Sequence, residues 1–91
     1  REFFTVVQQL KDLERLHLNG TNISDEQLKV LSKLAKIRYL NLYNTTISDA
    51  GLHILQNFSN LEKVYLSQTK VSDQGIAQLQ RAKPSLHVIH R

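Results

Sequence analysis

The side chains best suited to metal or acid–base chemistry in this 91-residue chain are four histidines and eight carboxylates. Cysteine is absent, which excludes disulfides, thiolate nucleophiles and cysteine-held metals. A metal centre needs two or more donors converging on one point. His87 and His90 are an odd number of residues apart in a strand-like stretch, so they point to opposite faces. His17 and His90 fall in one lateral row but three strands apart, about 14 Å at the usual strand spacing, too far to share an ion. His53 stands in a helical stretch with no second histidine at ligand spacing. Asp25, Asp49 and Asp73 recur like the rungs of a calcium ladder, yet each follows a serine at the start of a helical stretch. There a side-chain oxygen meets free amides and the favourable end of the helix dipole, so helix initiation is the expected use. The glycines lack phosphate-loop spacing, and no nucleophile stands beside a base. The expectation is no catalytic residue, no metal and no cofactor.

The elements that position these side chains come from an internal period of 24 residues, marked by Leu13, Ile37 and Leu61, with a recurrence one residue late at Leu86. Apolar residues recur at seven equivalent places, among them Leu16/Leu40/Val64, Leu18/Leu42/Leu66, Ile23/Ile47/Val71, Leu31/Leu55/Leu79 and Leu34/Phe58/Ala82. Thr21/Thr45/Thr69 and Ser24/Ser48/Ser72 recur as strictly. Each repeat opens with alternating residues, as in Tyr39-Leu40-Asn41-Leu42, which predicts a short strand with one apolar side. After Ser-Asp the apolar spacing becomes i, i+3, i+6, which predicts an amphipathic helix. Gly51 and Gly75 occupy equivalent helical places, where a small residue lets neighbouring repeats approach. One such unit cannot bury both its faces, so the units must stack, with a parallel sheet on one side and helices on the other. The expected fold class is α/β, a leucine-rich repeat solenoid with the sheet on its concave side.

The domain organisation follows the period. Residues 13–36, 37–60 and 61–85 read as full repeats. Residues 1–12 read as the helical half of another, with Phe4, Val7 and Leu10 in the places of Leu28, Leu31 and Leu34, and 86–91 as a terminal strand after a helix broken at Pro84. The chain reads as part of a longer protein. Phe3 and Val6 leave the N-terminal end open to missing repeats or to self-association with another copy.

Function is expected on the outer side of the sheet, where variable side chains stand in regular rows. One row is Arg15, Tyr39, Lys63 and Val88; the next is His17, Asn41, Tyr65 and His90; Tyr43 lies just beyond. All three tyrosines of the chain are in these rows, set among basic residues, a composition typical of binding hot spots. Arg15, His17, Tyr39, Asn41, Tyr43, Lys63, Tyr65 and His90 are therefore the expected contacts for a protein partner, with a glycan as the second option. The bland alternative is that the tyrosines only cover the sheet. The net charge of +4 invites nucleic acid, but Lys29, Lys33, Lys36, Arg81 and Lys83 are spread over the helical side among Glu26 and glutamines, which argues against it. No stretch approaches the roughly 18 apolar residues of a membrane span, and no secretory leader is legible, so no membrane insertion by this segment is expected.

The segments YLNLYNTTISDAGLHIL and VYLSQTKVSDQGIAQLQ resemble the Thr-x-Val-x-Asp-x-Gly-Leu subtype of bacterial, ribonuclease-inhibitor-like leucine-rich repeats. The first repeat departs from it, with Glu26-Gln27 where the others have Ala50-Gly51 and Gln74-Gly75. Repeats of this wording followed by a tail like Lys83-Pro84-Ser85 are similar to C-terminal arms of envelope proteins with a c-type-cytochrome-like module. That resemblance implies a periplasmic or envelope setting and a spacer role as the alternative to binding, with any haem held outside these residues.

Overall fold

The computed structural model describes residues 9–90. Four three-residue strands, β1 (Arg15–His17), β2 (Tyr39–Asn41), β3 (Lys63–Tyr65) and β4 (His87–Ile89), form a parallel sheet in the order β1-β2-β3-β4. Helices α1 (Asp25–Leu31), α2 (Asp49–Leu55) and α3 (Asp73–Ala82) connect them and pack against one another on the other side. The 24-residue period is the lateral register itself: Leu16 lies beside Leu40, Leu40 beside Val64 and Val64 beside Val88.

Burial explains the period. Leu40, Leu42, Val64 and Leu66 of the strand segments are fully buried, and they meet Leu28, Leu31, Leu52, Leu55 and Leu79 from the helices. Ile37, Leu61 and Leu86 close one end of this core, and Ile23 and Ile47 the other. Phe58, fully buried in the turn after α2, is the largest side chain in it. The equivalent Leu34 is also buried, but Ala82 is exposed because α3 runs on for ten residues where α1 and α2 have seven. The expected apolar seat at Ala82 is therefore not filled.

The turns leaving the strands repeat as closely as the core. Gly20, Asn44 and Gln68 all have left-handed backbone, with φ of 77°, 56° and 60°. Glycine takes that conformation freely and asparagine tolerates it, whereas glutamine is strained there. One residue later Thr21, Thr45 and Thr69 each donate a hydroxyl hydrogen bond to the carbonyl of the residue three earlier, at 2.7, 2.9 and 2.6 Å. That bond closes the turn, and it is the reason the threonine recurs.

At the helix starts serine is the N-cap and aspartate the first helical residue. Ser24 forms a reciprocal capping box with Gln27, and Ser72 Oγ accepts from the Gly75 amide at 3.0 Å. Capping its own helix, the use expected for the aspartates, is not the bond Asp49 makes: its carboxylate reaches the next repeat, accepting from Ser72 Oγ at 2.6 Å and from the Ser72 amide at 2.8 Å. Gly75 makes room for it, because a Cβ there would lie 2.5 Å from Asp49 Oδ1 and 2.8 Å from Leu52 Cδ1. At Gly51 a Cβ would meet Ile47 at 2.7 Å and Asp25 of the preceding repeat at 3.2 Å. In α1 the same place holds Gln27, whose side chain folds back into the capping box.

The bonds from Ser72 hold the Asp49 carboxyl below its ordinary pKa of 3.8, outweighing a partial desolvation that acts the other way. The folded chain therefore binds this proton less readily than the unfolded chain. The stabilisation is complete above the ordinary carboxylate value and is lost as pH falls through the lowered one. Thermal melts should thus be flat from about pH 7 to pH 5 and decline towards pH 3, and Asp49→Asn should lower the neutral-pH midpoint while flattening that decline. An unchanged decline in the variant would remove Asp49 as its source.

The last strand departs from the expected register. Leu86 keeps the buried seat of Leu61, but only one residue separates it from the inward Val88, where two separate Leu61 from Val64. In the earlier repeats two successive amides, of Arg38 and Tyr39, then of Glu62 and Lys63, share one carbonyl of the previous repeat; in the last, the His87 amide donates to the Glu62 carbonyl at 2.9 Å. The extra residue near Pro84 is compensated there, and the ladder returns to 24. His87 and Ile89, not Val88 and His90, are the outward members of the last strand.

Residues 1–8 and 91, with the expectations for Phe3, Phe4, Val6 and Val7, lie outside the described residues. Leu10 is described, packs against the core, and accepts from the Leu13 amide as Leu34 does from Ile37.

Candidate functional site

The outer face of the sheet presents two rows. The first is Arg15, Tyr39, Lys63 and His87; the second is His17, Asn41, Tyr65 and Ile89. Strand alternation puts these side chains opposite the buried Leu40 and Val64, so their position follows directly from the apolar pattern. Arg15, His17, Tyr39, Lys63 and Tyr65 together line a shallow cavity of about 300 Å³. Five of the eight residues expected as contacts thus meet in one depression.

The other three are placed differently. Asn41 is half-buried in the second row, and its side-chain oxygen accepts from the Tyr43 amide at 3.0 Å, fixing the chain as it leaves β2. Tyr43, two residues beyond the end of β2, is 47% exposed, the one large apolar side chain so exposed among the described residues. His90 follows β4 in the place equivalent to Leu66 and is outside both rows; the correction arises from the shortened path between Leu86 and Val88. His87, which takes a seat in the first row, was missed. The signal available was weak, because a one-residue shift in a three-residue strand reverses every side chain.

Cations cover the tyrosine rings. The Arg15 guanidinium lies 4.9 Å from the centre of the Tyr39 ring, Arg38 lies 5.6 Å from the same ring, and the Lys63 ammonium lies 5.2 Å from Tyr65. Such contacts are worth about 0.5–1 kcal/mol each at exposed sites. They hold long, flexible side chains in place over the sheet.

Arg38 organises the neighbouring carboxylates. Its Nε and one terminal nitrogen donate to both oxygens of Glu62 at 2.9 and 3.2 Å, and its other terminal nitrogen donates to Glu14 at 3.3 Å. The guanidinium beside it holds the Glu62 carboxyl below its ordinary value. Glu14, Arg38 and Glu62 occupy equivalent places of successive repeats, so a residue of one sign is clamped between two of the other. Further out, Lys36 pairs with Asp12 at 3.1 Å. These exposed pairs contribute little stability individually. Their effect on the site is to occupy the carboxylates next to Arg15 and Lys63. Among the described residues, neither Arg15 nor Lys63 is in an ion pair.

Among the described residues no group of three or more histidines and carboxylates is placed to hold a metal ion, and no helix is long and apolar enough to cross a membrane. The arrangement offers recognition chemistry: positive charge, phenol hydroxyls and aromatic edges on a rigid sheet.

Comparison with protein families matches residues 9–32, the stretch containing β1 and α1, to the family described as Leucine Rich repeat. Comparison with curated proteins gives no match. Together with the 24-residue register of strands and helices, the family match makes this an α/β leucine-rich repeat solenoid.

Proposed function

We propose that this chain is a non-catalytic interaction module that binds a partner protein on the outer, concave face of its sheet. Leucine-rich repeats generally mediate protein–protein interaction. The observation that carries the reading here is the depression lined by Arg15, His17, Tyr39, Lys63 and Tyr65, with the exposed Tyr43 two residues beyond the end of β2. Tyrosine and arginine are both enriched at binding hot spots; tyrosine buries large area at small conformational cost and keeps a polar end for a hydrogen bond, and arginine offers a fork of donors. The helical side lacks such a concentration; Lys29, Lys33 and Arg81 are scattered among glutamines and Glu26.

The test is photo-crosslinking in the native host from two positions, Tyr43 just beyond β2 and Gln78 on the exposed side of α3. A benzophenone side chain at 43 is expected to give one discrete protein adduct and at 78 none. Adducts from 78 alone would place the interface on the helices and overturn the reading, and an adduct that is carbohydrate would replace the protein partner by a glycan.

A further inference from the structure

The charge in the depression points to the chemistry of the partner. We propose that the concave face captures an acidic, extended segment of a partner protein, with Arg15 and Lys63 as the two carboxylate-binding groups; this rests on the concave-face reading above. Four features converge on it. The rows contain basic, neutral and aromatic residues and no carboxylate. The two nearest carboxylates along the chain, Glu14 and Glu62, are taken by Arg38, which leaves Arg15 and Lys63 without an ion-pair partner among the described residues. Both heads are already positioned, by the rings of Tyr39 and Tyr65 at 4.9 and 5.2 Å, so little further ordering is needed when a ligand arrives. They also stand two strands apart, about 10 Å, within a face only three residues wide.

Those dimensions suit a single extended strand better than a folded surface. Carboxylates on alternate residues of such a segment project on one side about 6.6 Å apart, so two fall within reach of the flexible arginine and lysine. Arg15 can take a carboxylate through two parallel N–H donors, and the tyrosine hydroxyls can donate to its remaining lone pairs. The same geometry disfavours a sugar or a nucleobase. Those ligands stack on open aromatic faces, and here Tyr39 carries two cations over its ring and Tyr65 one.

The experiment is fluorescence anisotropy with the 91-residue chain and a labelled octapeptide of alternating glutamate and serine, against its twin in which glutamine replaces every glutamate. The acidic peptide is expected to bind at least tenfold more tightly. That preference should disappear in Arg15→Gln with Lys63→Gln, whose circular dichroism should match the parent because both side chains are on the surface, and it should collapse when salt is raised, as screening requires. Equal binding of the two peptides, indifference to the double substitution, or tighter binding of a sulfated oligosaccharide or single-stranded DNA would each overturn the proposal. Crosslinking from Tyr43 separates this failure from that of the underlying reading: an adduct that persists in the double variant leaves the concave face standing and removes only the acidic segment, whereas loss of the adduct from 43 in the parent removes both.

Discussion

Phe58→Ala is expected to be the most destabilising single truncation in this chain, costing about 3–5 kcal/mol. Phe58 is fully buried and is the largest such side chain. It sits in the turn after α2, where its amide bonds to Leu55 and its carbonyl accepts from Leu61, so the ring is held by backbone on both sides and the turn cannot collapse freely into the space it leaves. The loss would fall between the second and third repeats, and a stack of this kind is stabilised mainly by contacts between neighbours. For a domain whose total stability is on the order of 5–15 kcal/mol, the thermal midpoint should fall by more than about 15 °C. The matched control is Tyr43→Ala, which removes an aromatic of similar size from an exposed position and should stay within about 0.5 kcal/mol. Melts followed by circular dichroism decide it; a midpoint within a few degrees of the parent for Phe58→Ala would mean that the repeat interface is not where the stability resides.

The second large effect is on binding. Tyr39→Ala combined with Tyr65→Ala is expected to weaken the partner identified by crosslinking by well over tenfold, approaching a thousandfold if losses of about 2 kcal/mol each add. The two rings occupy different rows of adjacent strands, Tyr39 beside Lys63 and Tyr65 beside Asn41, so one ligand crossing the sheet would meet both. Each ring also holds a cation in place, and its removal frees Arg15 or Lys63 as well as taking away contact area. Coupling of this kind makes the combined loss differ from the simple sum. Because both tyrosines are only half-buried, the melting curve should move far less than it does for Phe58→Ala, which separates a binding defect from an unfolding one. Unchanged affinity with an unchanged melt would take the concave face out of the mechanism altogether.

Most of the architecture was legible in the chain. Leu16, Leu40 and Val64 recur at 24 residues because each must enter the same layer beside its neighbour, and burial is a property that a short sequence pattern states repeatedly. The same holds for Thr21, Thr45 and Thr69, whose hydroxyls close equivalent turns, and for Arg15, Tyr39, Tyr65 and Lys63, which alternation alone puts on the outer face. These features depend on local geometry, and local geometry is repeated in the sequence.

What the tertiary structure decided depends on contacts made across repeats. The sequence places Leu86 one residue late and leaves open whether the strand after it follows the leucine or the ladder. In the folded chain both are satisfied, by dropping one residue between Leu86 and Val88, and His87 replaces His90 at the surface as a consequence. Asp49, the first residue of its helix, also ties that helix to Ser72 of the next repeat, and the glutamates beside the strands pair with Arg38. Each partner lies 23 or 24 residues away, and which oxygen reaches which donor is set by rotamers and by the space a glycine such as Gly75 leaves. The period by itself determined the solenoid and its two faces; only packing decided the charge balance on the face that is proposed to bind, because that balance is a sum over pairs brought together by the stacking of repeats.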